Sequence, residues 1–132
     1  MEAIYNVKEG ELLNADSLKV ATAAVKVLDV KKASNIKLLK IDERTTIADY
    51  FVICAGNSNT QIKTLADEVE YQLNVGGVEN VKLQGTDSDE WKVIDCLDVI
   101  IHIFSNEARD FYKLEKLWAD AEEIDISGLL TE

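Results

Sequence analysis

The residue types that most often carry out chemistry in proteins are sparse in this sequence. It has one histidine, His102, and two cysteines, Cys54 and Cys96, which lie in apolar surroundings and have no CxxC partner. Nucleophilic or metal-assisted catalysis needs a nucleophile beside a base, or a cluster of metal ligands. The sequence therefore predicts a protein that is not an enzyme, with two reduced packing cysteines, no metal and no cofactor.

One loose pattern leaves an enzymatic alternative open. A nucleotidyl transferase combines a Gly-Ser turn that opens a helix with strand carboxylates that hold Mg²⁺. Gly56-Asn57-Ser58 resembles such a turn, and Asp95 and Asp98 could supply the carboxylates. The alternative function is therefore a metal-dependent nucleotidyl transferase.

The two carboxylates fall within a predicted β-hairpin. Trp91 to Asp95 and Asp98 to Phe104 have the composition of strands, and Cys96-Leu97 would be a two-residue loop between them. Residues that face each other in an antiparallel pair share one face of the sheet. The predicted pairs are Asp95 with Asp98, Val93 with Ile100, and Trp91 with His102. We expect the opposite, more uniformly apolar face to pack against helices. That face carries Ile94, Val99, Ile101 and Ile103.

The first of these faces is a candidate partner-binding site. Neighbouring carboxylates repel each other unless a cation or a basic partner lies between them. Alternatively, Asp95 and Asp98 are turn residues whose carboxylates point into water. Trp91 beside His102 could anchor a partner, and the alternative is a packed tryptophan with a hydrogen-bonded histidine.

Hydrophobic periodicity predicts the elements that come before the hairpin. Asp16 or Ser17 caps a first amphipathic helix. Branched residues predict adjacent strands at 36–41 and 48–54, and the second lacks polar alternation, as expected of a central strand. Gly56-Asn57-Ser58-Asn59 then supplies turn residues and an N-cap for a clear helical stripe, which ends at Gly76-Gly77.

The same reasoning predicts the elements around and after the hairpin. A short strand at 81–83 completes a strand, helix, strand run, which implies a right-handed parallel crossover. Ser105 or Asn106 caps a last helix, whose apolar stripe consists of Ala108, Phe111, Leu114, Leu117 and Trp118. Tyr112 and Glu115 lie three apart on that helix, so they share a stripe that is either a contact surface or the edge of the core.

Length and charge narrow the class of protein. A chain of 132 residues has room for one domain. We expect a loose arm, or a strap that orders on contact, at 1–15, the domain at 16–119 and an acidic, mobile tail at 120–132. The net charge is −11, and residues 65–132 contribute −12 of it, with 5 basic and 17 acidic groups. The negative electrostatic field of this charge favours a basic protein partner. The alternative is that the acidic residues only increase solubility.

Several other classes are excluded or disfavoured. Contacts to a phosphate backbone need clustered Lys and Arg, so direct sequence-specific nucleic-acid recognition is not expected. The longest apolar stretches are far shorter than the roughly 20 residues that span a bilayer, so no membrane partner is expected. No secretory signal is visible at the N-terminus, which predicts a cytoplasmic protein. A homodimer is plausible for a domain with an apolar sheet edge.

An ordered series of motifs resembles the ribosomal silencing factor family RsfS, also called Iojap. The resemblance covers about residues 16 to 119. Each motif alone is weak, but the set is specific, above all the Trp, Asp, Asp, His series followed by Tyr-x-Leu-Glu-x-Leu-Trp. The motifs lie at 47–53, 56–59, 66–69, 91–95, 98–104 and 111–118.

The resemblance implies a fold and a function. The fold would be an α/β (mixed α+β) single domain with a five-stranded mixed sheet flanked by helices, related to the nucleotidyltransferase fold but without its catalysis. Family members bind the large ribosomal subunit through ribosomal protein fourteen and block joining of the small subunit when nutrients run short. Relatives in organelles act in assembly of the large subunit. The resemblance thus predicts a translational repressor.

Six residues of the recurrent motifs are our candidate partner-binding residues. They are Trp91, Asp95, Asp98, His102, Tyr112 and Glu115. One position departs from the family pattern, which usually has Gly just before the second Asp of the hairpin. This chain has Leu97 there. Because leucine resists a positive φ, we expect a different turn at this point.

Overall fold

The computed structural model describes residues 5–42, 45–85 and 87–130 as one mixed sheet with helices on both faces. The strand order is β3-β4-β5-β2-β1-β6. The helices are α1 (Ser17–Val30), α2 (Asn59–Val75), α3 (Asn106–Tyr112) and α4 (Leu114–Leu117), and the strands are β1 (Ser34–Lys40), β2 (Tyr50–Gly56), β3 (Lys82–Gln84), β4 (Trp91–Asp95), β5 (Val99–Ser105) and β6 (Glu122–Ile124).

Side-chain caps start the three longer helices where the sequence predicts them. Asp16 accepts a hydrogen bond from the amide of Lys19 at the start of α1. Ser58 and Ser105 cap α2 and α3 in the same way. Each cap satisfies a backbone N–H that has no partner inside its own helix. Helix starts were therefore predictable to within a residue.

The structure confirms that the first two strands are adjacent and that the second is central. All seven residues of β2 are buried, and β2 lies between β1, which is antiparallel to it, and β5, which is parallel to it. β4 and β3 continue the sheet beyond β5 in antiparallel steps, so β3 runs in the same direction as β2. The predicted parallel crossover therefore exists, but it passes over two intervening strands.

The sheet has six strands rather than five because the acidic tail contributes one. Residues 122–124 pair antiparallel with 38–40 of β1 as β6, and a 3-10 turn at 127–129 follows. We had predicted a mobile tail because its composition is polar. The backbone of β1 has a free edge, and pairing with it satisfies hydrogen bonds whatever the side chains are.

The described part of the N-terminal arm is a strap across the end of α2. The amide of Val7 donates to Gln72 Oε1 over 2.7 Å, and the amide of Leu12 donates to the carbonyl of Gly76 over 2.7 Å. Val7 and Leu12 are buried. Gly76 allows this approach, since a Cβ there would lie 2.7 Å from Val7 Cγ1. We name residues 5–16 the strap.

The two faces of the sheet carry different layers. On one face, α1, α2 and the strap cover an aliphatic cluster to which the strands contribute Ile94, Val99, Ile101 and Ile103, as predicted. The other face carries a smaller cluster around Phe51, Phe104 and Leu114 under the short helices α3 and α4. Among the described helices none is long and apolar enough to cross a bilayer.

A candidate partner-binding face

The β4–β5 register differs from the predicted one by two residues. Trp91 lies opposite Phe104, Val93 opposite His102 and Asp95 opposite Ile100. Our prediction that Asp95 faces Asp98 and Trp91 faces His102 is therefore wrong. The shift arises because the two residues of the turn are Leu97 and Asp98 rather than Cys96 and Leu97, and the amide of Cys96 donates a hydrogen bond to the carbonyl of Val99 that closes the turn.

Leu97 explains why the register was mispredicted. It adopts the left-handed conformation, with φ of 69°, and its amide donates to Asp95 Oδ1 over 2.8 Å. We had expected leucine to avoid this conformation, so that expectation is also wrong. Asp98 turns out of the strand, and its carbonyl accepts from the amides of Asp49 and Tyr50. The turn is thus anchored to the start of β2.

A shift of two residues preserves which side chains share a face. Trp91, Val93 and Asp95 on β4 therefore still point to the same side as Ile100 and His102 on β5. Because α3 and α4 lie over the middle of the sheet, the outer part of this side is only half covered. Its partly buried sheet residues are Trp91, Val93, Asp95 and Ile100, and together with the exposed Phe111 and Tyr112 of α3 we name them the open face.

Trp91 and His102 form the one side-chain hydrogen bond that links the two strands on this face among the described residues. Trp91 Nε1 donates to His102 Nδ1 over 3.1 Å. Because an indole N–H can only donate, Nδ1 must be unprotonated, and the neutral ring carries its proton on Nε2. Nε2 is buried and has no hydrogen-bond partner among the described residues. Burial lowers the pKa of His102 to about 4, so the histidine is neutral at physiological pH.

The aromatic residues extend from the buried layer to the surface. Trp91 stacks on Phe104 with ring centroids 4.9 Å apart, and its other neighbour is Tyr112 at 5.0 Å. Phe111 meets Tyr112 edge to face at 5.0 Å. Tyr112 is 46% exposed and Phe111 is 79% exposed. The open face therefore ends in two exposed aromatic rings on a supported tryptophan.

Phe111 is the functional candidate that the sequence reasoning missed. We had assigned it to the apolar stripe of a continuous helix. The helix instead breaks at Lys113, which has a left-handed φ of 50°, so α3 and α4 have different directions. Leu114 and Ala108 fill the core position, and Phe111 and Leu117 are left in solvent. The adjacent pair Phe111-Tyr112 was the available signal.

Glu115 lies away from the open face, in an ion pair. Arg109 Nε donates to Glu115 Oε2 over 3.0 Å, and Arg109 Nη1 donates to the carbonyls of Ser34 and Asn35 at the start of β1. Burial alone would raise the pKa of Glu115, but hydrogen bonds from its own backbone and from Arg109 outweigh burial, and the pKa is lowered. This pair fastens α3 and α4 to β1.

The geometry contradicts the nucleotidyl-transferase alternative as we had framed it. Gly56 pairs with Ser105 at one end of the sheet, whereas Asp98 lies next to Val99 at the other end. Six residues of extended strand, about 20 Å, separate the two ends. The turn has a structural role instead, because Ser58 Oγ and Gln61 Oε1 accept hydrogen bonds from the amides of Gln61 and Asn57. The proposed carboxylates do not reach it.

Exposed carboxylates border the aromatic end of the open face. Asp89 and Glu90 precede Trp91, and Glu107 and Asp110 lie on α3 ahead of Phe111. All four are exposed. An apolar aromatic centre with an anionic border is complementary to a basic protein surface, because aromatic residues supply affinity and charges supply steering.

Comparison with known proteins shows the family. The protein-family model described as "Ribosomal silencing factor during starvation" matches residues 14–132. The chain is 40% identical over 104 residues to the ribosomal silencing factor RsfS of Bacillus subtilis, covering 79% of this chain and 86% of that protein. It is 30% identical over 97 residues to the mouse protein named mitochondrial assembly of ribosomal large subunit protein 1, covering 71% of this chain and 42% of that one.

Solved structures agree with the sequence matches. The crystal structure of a protein from Chromobacterium violaceum superposes with a TM-score of 0.76 at 31% identity, covering 79% of this chain and 87% of that chain. A structure from Bacillus halodurans gives a TM-score of 0.69 at 33% identity, with 82% and 95% covered. The chain belongs to the ribosomal silencing factor RsfS family.

Proposed function

We propose that this protein represses translation by binding the large ribosomal subunit, through ribosomal protein fourteen, and by keeping the small subunit from joining. The observation that carries the proposal is the open face, where Trp91, Tyr112 and Phe111 form an exposed aromatic centre beside four exposed carboxylates. Membership of the silencing family supports a ribosomal target, and the name of the mouse relative points to the large subunit.

The six candidate residues take different roles in this proposal. Trp91, Tyr112 and Asp95 contact the partner directly, because they are at least partly exposed on the open face. His102 is a positioning residue, since it is buried and its Nδ1 fixes the indole. Glu115 holds the helix that presents Tyr112. Asp98 lies outside this contact.

The repression proposed here needs no chemistry. A standard protein interface buries about 800 Å² on each partner, and this molecule has a surface of 7584 Å². About nine tenths of the surface therefore stays outside the contact, on a body that occupies the approach of the small subunit. One bound protein would block one large subunit. This mechanism requires the protein to be in the same compartment as the ribosomes, which in a bacterium is the cytoplasm.

Exposed aromatic residues on the two sides of the sheet allow a matched test of the contact. Phe111→Ser should lower co-sedimentation with purified large subunits at least about tenfold, because exposed aromatic anchors are typical hot spots. Tyr71→Ser is the control, since Tyr71 is 65% exposed but lies on α2, across the sheet. Both variants should keep their melting temperature. Equal sedimentation of the two variants would remove the open face from the contact.

The consequence of binding is tested separately. Separated subunits mixed with the wild-type protein should form fewer joined ribosomes on a gradient, and Phe111→Ser should restore joining. Isolated ribosomal protein fourteen should bind the wild type and release it as salt is raised, because charge steering is screened. Joining that proceeds normally while the protein sediments with the large subunit would contradict the steric mechanism.

A further inference from the structure

A cavity of about 240 Å³ lies at the end of the sheet that carries the β4–β5 turn. Four segments line it: residues 12–15 of the strap, the start of α1, the turn at 77–80 after α2, and the turn at 96–99. We name it the strap cavity. The cavity opens to solvent and both polar and apolar atoms line it, but its volume exceeds the roughly 150 Å³ that is enough for a benzene ring. The strap cavity therefore has room for one or two aliphatic side chains.

Four residues with a left-handed backbone shape this cavity. They are Asn14, Gly77, Asn80 and Leu97, with φ between 59° and 91°. Glycine and asparagine adopt this conformation readily, but leucine does so only at an energetic cost. The carbonyl of Asp98 holds the turn against β2. Glycine would satisfy the turn with less strain, so what leucine adds is an apolar side chain at the mouth.

The mouth of the cavity carries two exposed leucines and two carboxylates, and polar side chains, among them Asn14 and Asn80, line the rest of it. Leu13 is 59% exposed and Leu97 is 57% exposed, and Glu79 and Asp98 lie beside them. Among the lining residues that the structure describes, none is lysine or arginine. The cavity walls include buried Val20, Cys96 and Val99. The surface therefore suits a ligand that is aliphatic at its centre and cationic at its ends.

We propose that the strap cavity binds a basic amphipathic segment of a protein other than ribosomal protein fourteen. A leucine or isoleucine of the segment enters the cavity, and its lysines or arginines lie beside Glu79 and Asp98. A second copy of this chain is disfavoured as the occupant because residues 65–132, which include both carboxylates, carry a charge of −12. The cavity lies among the strap, α1 and the turn after α2, on the opposite side of the sheet from the open face, so the two sites can be filled together.

A defined peptide tests the proposal without knowledge of the natural partner. The probe is a short synthetic helix with leucine on one face and lysine on the other. It should shift the methyl resonances of Leu13, Leu97 and Val78, leave those of Ile53 unchanged, and bind more weakly as salt is raised. Matched peptides with glutamate for lysine, or with serine for leucine, should bind at least about tenfold more weakly.

Variants of the chain locate the peptide. Leu97→Gly should weaken peptide binding about fivefold, and the double variant with Glu79→Lys and Asp98→Lys about tenfold or more. Leu117→Ser is the control, because Leu117 is 77% exposed on α4, and it should bind the peptide as the wild type does. Co-sedimentation of Leu97→Gly with large subunits should be unchanged, which separates this site from the open face.

Three outcomes would overturn the proposal. Shifts confined to residues outside the cavity would show that the peptide binds elsewhere. Equal binding of the serine peptide would show attraction by charge alone. Shifts of the same methyl groups on raising the protein concentration without peptide would show that the occupant is a second copy of the chain.

Discussion

The two faces of the sheet are built for different purposes. α1, α2 and the strap cover one face, whose strand side chains are almost entirely aliphatic and fully buried. The short helices α3 and α4 cover the other face in part, and they leave Trp91, Ile100 and Tyr112 at least partly exposed. The first face is a closed apolar layer, whereas the second leaves aromatic and aliphatic side chains in contact with solvent.

The type of residue follows the same division. Ile101 and Ile103 fill space without polar atoms, so the covered face needs no hydrogen bonds between side chains. Trp91 and His102 combine rings with polar atoms that must be satisfied when they are buried. Their mutual hydrogen bond, at 3.1 Å, satisfies one atom of each. A directed hydrogen bond therefore acts together with apolar packing to hold the open face in shape.

Neighbouring isoleucines on β5 give the largest expected contrast between the faces. Ile101→Ala should lower the free energy of unfolding by about 3–4 kcal/mol, because Ile101 is fully buried on the covered face. Ile100→Ala should cost about 1 kcal/mol, since Ile100 is half exposed. Urea denaturation of both variants measures this. Similar losses would show that the open face is packed as tightly as the covered one.

The pH dependence of stability tests the polar pair of the open face. Unfolded His102 takes up a proton below its ordinary pKa of 6.5, whereas the folded form resists protonation down to about 4. The unfolded state therefore binds more protons between these values, and stability falls as the pH is lowered from 6.5 to 4, by about 3 kcal/mol in all. Urea titrations at several pH values measure the slope.

His102→Gln tests whether His102 causes this pH dependence of stability. Glutamine offers Trp91 Nε1 an acceptor oxygen but does not titrate. The variant should lose most of the slope between pH 6.5 and 4. The lowered pKa of Glu115 also makes stability fall in acid, but below its ordinary value of 4.5 and equally in both proteins. Identical slopes in wild type and variant would show that His102 is more accessible to water than its burial indicates.

The sequence predicted those parts of the fold that depend on local chemistry. Caps at Asp16, Ser58 and Ser105, and the uniformly apolar β2, need no knowledge of the rest of the chain. The prediction of the β4–β5 register was wrong because the register depends on the backbone angle of Leu97. The pattern of side chains in the sequence does not indicate that angle. β6 was not predicted because it pairs with the free edge of β1, and that edge exists only in the folded sheet.

The candidate site was predictable in part for the same reason. Alternation along a strand fixed which side chains share a face, so Trp91, Asp95 and His102 were grouped correctly despite the wrong register. The break at Lys113 was not visible, because left-handed lysine has no sequence signature. That break separates Glu115 from the open face and exposes Phe111.

A substitution that displaces the strap should lower stability by an intermediate amount. Gly76→Ala places a Cβ 2.7 Å from Val7 Cγ1 and 3.0 Å from Leu12 Cδ1, so the strap must move. The expected cost is about 2 kcal/mol, with faster amide exchange at Val7 and Leu12. Gly128→Ala is the control, because a Cβ there meets nothing within 4 Å. An unchanged exchange rate at Val7 would show that the strap adjusts without loss.

The smallest expected effect is a gain in stability on replacing Leu97. Leu97→Gly relieves the left-handed strain of about 1–2 kcal/mol, but glycine gives the unfolded chain more freedom, and the net stabilisation should be about 0.5 kcal/mol. Leu97→Ala removes the same exposed side chain yet keeps the strain, so it should be slightly less stable than the wild type. The difference in free energy of unfolding between the two variants measures the backbone contribution, because both lack the leucine side chain. If the glycine variant proved less stable than the alanine variant, the left-handed strain at position 97 would be smaller than the conformational entropy that glycine adds to the unfolded chain.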